Sequence, residues 1–275
     1  ILKIMLMMIT IYTITGSAVY AAEIPVSDQD QLITSRDWTE ISNLQDEMKK
    51  EEPDATIDYD KALKVYVDCN LIKLQTADTK KLTSALESAN YVWVIPFKME
   101  KTYGMFTVAK GLPLSEEAKS VLTKAEQEEV KNHAGKWMIT ETAEHTVEPY
   151  YDILLEKREA LSDCTRVVLV GSQPGMRQPV ALGMDDETAR IWISLGYQYP
   201  VMEKIPETQN VESGVYSFDS VAEISDTYIE DSEVSTGAGV QSRSSMKYVA
   251  GIGIIVIGSI LILSVLKKKK LEDYE

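Results

Sequence analysis

Carboxylates and a histidine within a few residues of one another are the raw material of a metal site, and Glu141, Glu144, His145 and Glu148 form one such cluster. Those types at that spacing can offer two or three oxygen or nitrogen ligands; the competing reading is a solvated acidic loop between a strand and a helix. The one other histidine is His133, so a His-rich site and an HExxH zinc-protease motif are excluded. Cys69 and Cys164 lie in no CxxC motif and beside no histidine, which argues against a thiol catalyst. In an exported domain they either bridge, closing a loop of ~95 residues worth about 4 to 5 kcal/mol in the chain-entropy model, or stay as two buried thiols. A second acidic run, Asp185, Asp186 and Glu187, reads as a turn between strands or as a weak calcium site. Residues 171–175 follow a strand as phosphate loops do, but they lack the lysine and spacing of a P-loop, and Pro174-Gly175 suits the centre of a type II turn. None of these motifs implies a cofactor.

Aromatic side chains could instead stack on a sugar or a peptide. Tyr91, Trp93, Phe97, Tyr103, Phe106, Trp137 and Trp192 fall in apolar periodic segments, where core or sheet-face positions are the expectation. Tyr197 and Tyr199, beside Pro200, form a candidate contact patch.

The elements that must position these residues follow from periodicity. Leu63, Val65 and Val67 alternate with polar neighbours, the mark of a half-buried strand. Leu82, Ala85, Leu86 and Ala89 fall on one face of a helix beginning near Asp78. Residues 91–97 and 103–109 read as a hairpin, with Pro96 placing the first strand at an edge or near its own end. A charged helix is expected over 115–132, with Ala118, Val121, Leu122 and Ala125 inward; then come a strand over 136–142 and a helix over 150–161. Residues 165–171, 177–184 and 188–195 read as three more strands. The first six elements match a ferredoxin-like split βαβ in order, and a helix feeding a hairpin recurs at an offset of 75 residues, from Ala85-Leu86 to Ala160-Leu161. The fold class is therefore α+β: a mixed, largely antiparallel sheet with two to four helices.

The chain ends speak of location. Residues 248–266 carry no charge and, as a helix, would cover the ~30 Å hydrocarbon core of a bilayer; Lys267, Lys268, Lys269 and Lys270 follow as a stop-transfer signal. At the other end Lys3, the apolar stretch 4–14 and the small residues near Ala21 read as a secretory signal, or as a second membrane helix if uncleaved. The organisation read from composition is a signal segment over 1–22, a polar segment with one helix over 23–60, a folded domain over 61–200, an acidic disordered stalk over 201–247, a transmembrane helix over 248–266 and a basic cytoplasmic tail over 267–275. The expected place is the cell membrane, single-pass, with the large domain outside and the C-terminus inside.

The net charge is −15; without the charged flanks, 23 basic residues face 40 acidic ones, a net −17. Such a surface repels nucleic acid. The partners expected are the lipid bilayer, through 248–266, and an extracellular protein or envelope polymer.

The last ~40 residues resemble the cell-wall sorting signal of Gram-positive surface proteins: a short motif, an apolar span and a basic tail. Within residues 233–237 only the Thr236-Gly237 of the LPxTG pattern is kept; its Leu and Pro are missing. The resemblance implies a sortase-processed surface protein in a Gram-positive-type bacterium, as an alternative to a plain anchor. The functional expectation is a membrane-anchored extracytoplasmic module that binds or senses a ligand, and an extracytoplasmic hydrolase or metal-dependent enzyme is the other alternative.

Overall fold

A computed structural model describes residues 24–145, 148–171, 173, 176, 179–196, 202–206 and 210–225, without the side chains of Glu117 and His145. The strands are β1 (Thr56–Ile57), β2 (Leu63–Tyr66), β3 (Tyr91–Lys98), β4 (Tyr103–Lys110), β5 (Trp137–His145), β6 (Arg166–Val170), β7 (Val180–Met184), β8 (Ala189–Ser194), β9 (Asn210–Glu212) and β10 (Val215–Ser217). All ten belong to one sheet, ordered β5-β4-β3-β2-β6-β7-β8-β10-β9, with β1 pairing β3. Every strand pair is antiparallel except β2 and β6, which run parallel at its centre. The α+β class and its largely antiparallel sheet are thus as the periodicity indicates.

Six α-helices have both ends among the described residues: α1 (Trp38–Ile41), α2 (Gln45–Glu51), α3 (Thr79–Glu87), α4 (Glu116–Val121), α5 (Lys124–His133) and α6 (Tyr150–Glu156). That exceeds the two to four expected, because the one helix expected within 23–60 and the helix expected over 115–132 are each broken in two. The helix expected over 115–132 ends at Val121 and restarts at Lys124, since Thr123 and Glu126 form a reciprocal capping box that fits only a new N-terminus. Val121, expected inward, is consequently 66% exposed.

The two sheet faces bury three apolar clusters. On one face, α3 and helical residues 218–225 cover Tyr66, Val168, Val170, Leu182 and Trp192. On the same face, further along, residues 32–62 cover Trp93, Ile95, Phe97, Phe106 and Val108. On the opposite face lie Leu63, Val65, Val167 and Leu169, under Tyr150 and Leu154 of α6. Because successive residues of a strand point to opposite faces, β2 and β6 supply both layers, and all four residues of β2 are buried. The expectation of a half-buried strand there is corrected: a central strand packed on both sides has no solvent face.

Other expectations are corrected as well. The segment over 23–60 is no separate polar region, because Ile24, Val26, Leu32, Ile41, Met48 and Ala55 are buried in the same cores as the sheet. The acidic stretch does not begin a stalk at residue 201: Val215, Tyr216, Phe218 and Val221 bury against the sheet, and β9 and β10 extend it past β8. A few well-spaced apolar residues suffice to fold an acidic segment onto an existing core. The ferredoxin-like order fails too. That topology needs a parallel crossover between its first two strands, whereas β2 and β3 are antiparallel neighbours and β2 to β5 form a simple meander. Pro96 lies in an interior strand, at the break where the partner of β3 changes from β2 to β1. A missing donor costs least at such a break.

No helix of the described residues is long and apolar enough to cross a membrane. The signal segment over 1–22, the apolar run over 248–266 and Lys267 to Lys270 lie outside the described residues.

Candidate functional site

The parallel pair at the sheet centre is short, joined only at Val65↔Leu169 and Tyr66↔Val170. Toward their N-terminal ends the two strands take separate partners: Val26 bridges Val167 and Gln31 bridges Leu63. Residues 26–31 therefore occupy the opening between β2 and β6. They are fastened by Val167 N–H donating to the Pro25 carbonyl at 2.7 Å and Leu32 N–H donating to the Ala62 carbonyl at 3.2 Å. This wedge carries Asp30, which is 2% exposed.

Asp30 is where the two sheet halves meet. Its Oδ1 accepts from the Tyr66 hydroxyl at 2.8 Å and lies 3.4 Å from Lys64 Nζ, both on β2. Its Oδ2 accepts from the Ser27 hydroxyl at 2.6 Å and from Arg166 Nη2 of β6 at 3.0 Å. Burial pushes the Asp30 carboxyl up, but Ser27, Arg166, Lys64 and Tyr66 together outweigh it and hold the group below the usual carboxylate range. At Lys64 desolvation wins instead. Desolvation pulls its ammonium below the ordinary lysine value, although Asp30 and Asp37 oppose this. One carboxylate collects two cations and two hydroxyls, whereas Lys64 exchanges most of its water for a carboxylate, the Gln29 carbonyl and ring faces. Its Nζ sits 4.7 Å from the Tyr91 ring centroid, 5.3 Å from that of Trp93 and 5.8 Å from that of Tyr66, a partly desolvated cation–π arrangement. The Tyr66 phenol is pushed up by burial and then by the Asp30 charge.

A second buried carboxylate extends the network. Asp37 accepts from the Tyr91 hydroxyl at 2.8 Å and from Trp93 Nε1 at 3.1 Å. Asp37 also lies 3.9 Å from Nε of the exposed Arg36, so two carboxylates and three cations share the region. Chemically, the arrangement holds the Asp30 carboxylate by both of its oxygens.

Two surface grooves lie elsewhere. One, of about 410 Å³, is lined by Leu74, Thr76, Lys81, Ser84, Ala85 and Ser88; the other, of about 340 Å³, lies between residues 72–77 and 218–223. The second includes Asp219 and Glu223, both exposed. The α4–α5 excursion is a different kind of surface. It leaves the sheet at Gly111 and returns at Gly135, joined at the neck by Gly111 N–H to Lys136 O (2.9 Å) and Gly135 N–H to Gly111 O (2.7 Å). A Cβ on Gly111 would stand 2.1 Å from the His133 carbonyl oxygen, and Gly135 has φ +76°, so the neck requires glycine at both positions. Beyond it Leu112 is 44% exposed, as is most of Val121.

Among the described residues, which leave out the side chain of His145, those singled out by type and spacing do not converge. Glu141 faces Thr107 and Glu144 faces Gly104 in the β4–β5 ladder, so the two-residue strand period sends their carboxylates to opposite faces. Glu148 is exposed beyond the strand, and no group of three metal-ligating side chains occurs among the described residues. Cys69 and Cys164 are free: Cys69 packs with the cluster under α3, Cys164 with that under α6, on opposite faces. Of the two alternatives for the cysteines, the structure has the unbridged one. Burial pushes their thiols up to about 12 and about 11, values of poor nucleophiles. Asp185 accepts the backbone N–H groups of Glu187 and Thr188, which makes that acidic run a turn. Trp93, Trp192, Phe97 and Phe106 are fully buried core. Tyr197, Tyr199 and the Pro174-Gly175 turn lie outside the described residues.

Asp30, Lys64 and Arg166 were missed by reasoning from motifs, because they are distant in sequence and no spacing rule joins them. One signal existed: Lys64 stands between Leu63 and Val65 in a strand, where a lysine is either solvent-facing or committed to a partner. No protein-family model, curated protein or solved structure matches this chain.

Proposed function

We propose that this chain is a membrane-anchored module that faces outward and binds an extracellular protein or an envelope polymer, with the α4–α5 excursion as its contact surface. The observation that carries this reading is the exposure of Val121 and Leu112 on a helical arm held by a two-glycine neck. Apolar side chains left in water are what an interaction surface offers when they are grouped. The apolar span over 248–266 with its four lysines supports the anchor, and the acidic surface favours a partner with basic or neutral character.

The test uses intact cells. Added protease should degrade residues 24–225, and a photo-crosslinking amino acid at position 121 should give a discrete adduct that the same probe at Glu159, an exposed site after α6, does not give. A domain fully protected from external protease would sink the topology; equal adducts at both positions would sink the contact surface. A sortase-processed form would be released by cell-wall hydrolase, whereas a plain anchor needs detergent.

A further inference from the structure

We propose that Lys64, Arg166, Tyr66 and Ser27 form a preformed receptor for a carboxylate at the opening between the two sheet halves, and that Asp30 is its tethered occupant. The receptor is built on three separate elements: β2 contributes a cation and a hydroxyl, β6 a guanidinium, and the wedge a second hydroxyl. Two of its members are fixed independently of Asp30: Lys64 and Tyr66 are held by burial in β2 between β3 and β6, and Lys64 also by three aromatic rings and the Gln29 carbonyl.

A second observation concerns how the receptor is filled. Arg166 gives Asp30 one hydrogen bond from Nη2, while its buried Nε has no partner among the described residues. A guanidinium fork matches a carboxylate through two parallel bonds. The tethered carboxylate reaches only one, so the site has binding capacity that its occupant does not use. A free carboxylate, released from the geometry of residues 28–30, can take both. In the intact chain the tether keeps the local concentration of Asp30 far above that of any dissolved anion, so the wild type excludes free carboxylates.

Vacating the receptor tests the inference. Asp30→Ala removes one carboxylate, the size of formate, and Asp30→Gly removes one acetate. In the full chain, thermal unfolding of Asp30→Ala in formate, compared with chloride of equal ionic strength, is expected to rise by about 4 °C at tenfold excess over Kd. Acetate should act likewise on Asp30→Gly, phosphate should be weaker on both, and the wild type should respond to none of them beyond chloride. Adding Arg166→Ala to Asp30→Ala should abolish the formate response. If either variant does not fold in chloride, recovery of its circular dichroism spectrum in the matching acid is the same readout. Collapse of the opening overturns the inference: formate and acetate then act no better than chloride, or neither variant folds in any of these anions. An equal formate response in the Arg166→Ala double variant also overturns it.

Discussion

The seam around Asp30 and the α4–α5 excursion both carry dense charge, and they treat it in opposite ways. At the seam, charges are drawn out of water and satisfied by one another. On the excursion, Lys119 pairs with Glu116 and Lys131 with Glu128 across single helical turns, exposed to solvent. Exposed pairs are worth a few tenths of a kcal/mol. A buried network is different in kind: its favourable attraction is spent against desolvation, yet removal of a single member leaves the others stranded. The seam is therefore where the chain is committed to one arrangement, and the excursion is where it is free to present side chains outward.

The largest effect expected follows from this contrast. Arg166→Ala or Lys64→Ala should each lower stability by about 3 to 5 kcal/mol in urea unfolding, because Asp30 is left buried without one of its cations. Replacing all three together, as Asp30→Leu, Lys64→Met and Arg166→Leu, should recover most of that loss. If the single variants cost no more than an exposed pair, the distinction between seam and excursion breaks down.

Acid should reproduce part of the seam defect. The folded-state pKa of Asp30 lies below its unfolded value, so its contribution is present above the unfolded value and is lost as pH falls through the folded one. A stability profile from pH 6 down to pH 2 should fall more steeply for the wild type than for Asp30→Asn. Lys64 has the same sense in a more alkaline window: its folded pKa is depressed, so the folded form sheds its proton first and stability from this group rises with pH toward the unfolded lysine value. Lys64→Met should lack that alkaline gain.

Changes in the excursion should be smaller and local. Gly111→Ala, with its Cβ meeting the His133 carbonyl oxygen, is expected to cost about 2 kcal/mol. Faster amide exchange should be confined to residues 111–136. Thr123→Ala removes the cap of α5 and should cost about 1 kcal/mol, read in the α5 amides alone. Val121→Ser should change stability by less than about 0.5 kcal/mol while reducing adduct formation on cells. Global unfolding caused by any of these three would place the excursion inside the cooperative core and erase the comparison.

Much of the fold was legible because its signals are local. Tyr91 to Phe97 and Tyr103 to Ala109 pair as a hairpin, and Leu82 and Leu86 mark the buried face of α3, because strand and helix periods are written within ten residues. The capping box at Thr123 was equally local, and apolar spacing alone ran straight through it. Glu141 and Glu144, close in sequence, are not close in space, because alternate residues of a strand part to opposite faces.

By itself the sequence determined most of the elements between residues 63 and 195, the α+β class and the acidic net charge, since each depends on composition or on neighbours within a turn or a strand. Only the tertiary structure decided that β2 lies beside β6, that residues 26–31 wedge between their ends, and that Asp30, Lys64 and Arg166 meet. Pairing between distant strands is chosen by how the whole set of apolar faces can be buried at once, and by which buried charges then find partners. Neither is a property of any single stretch of chain.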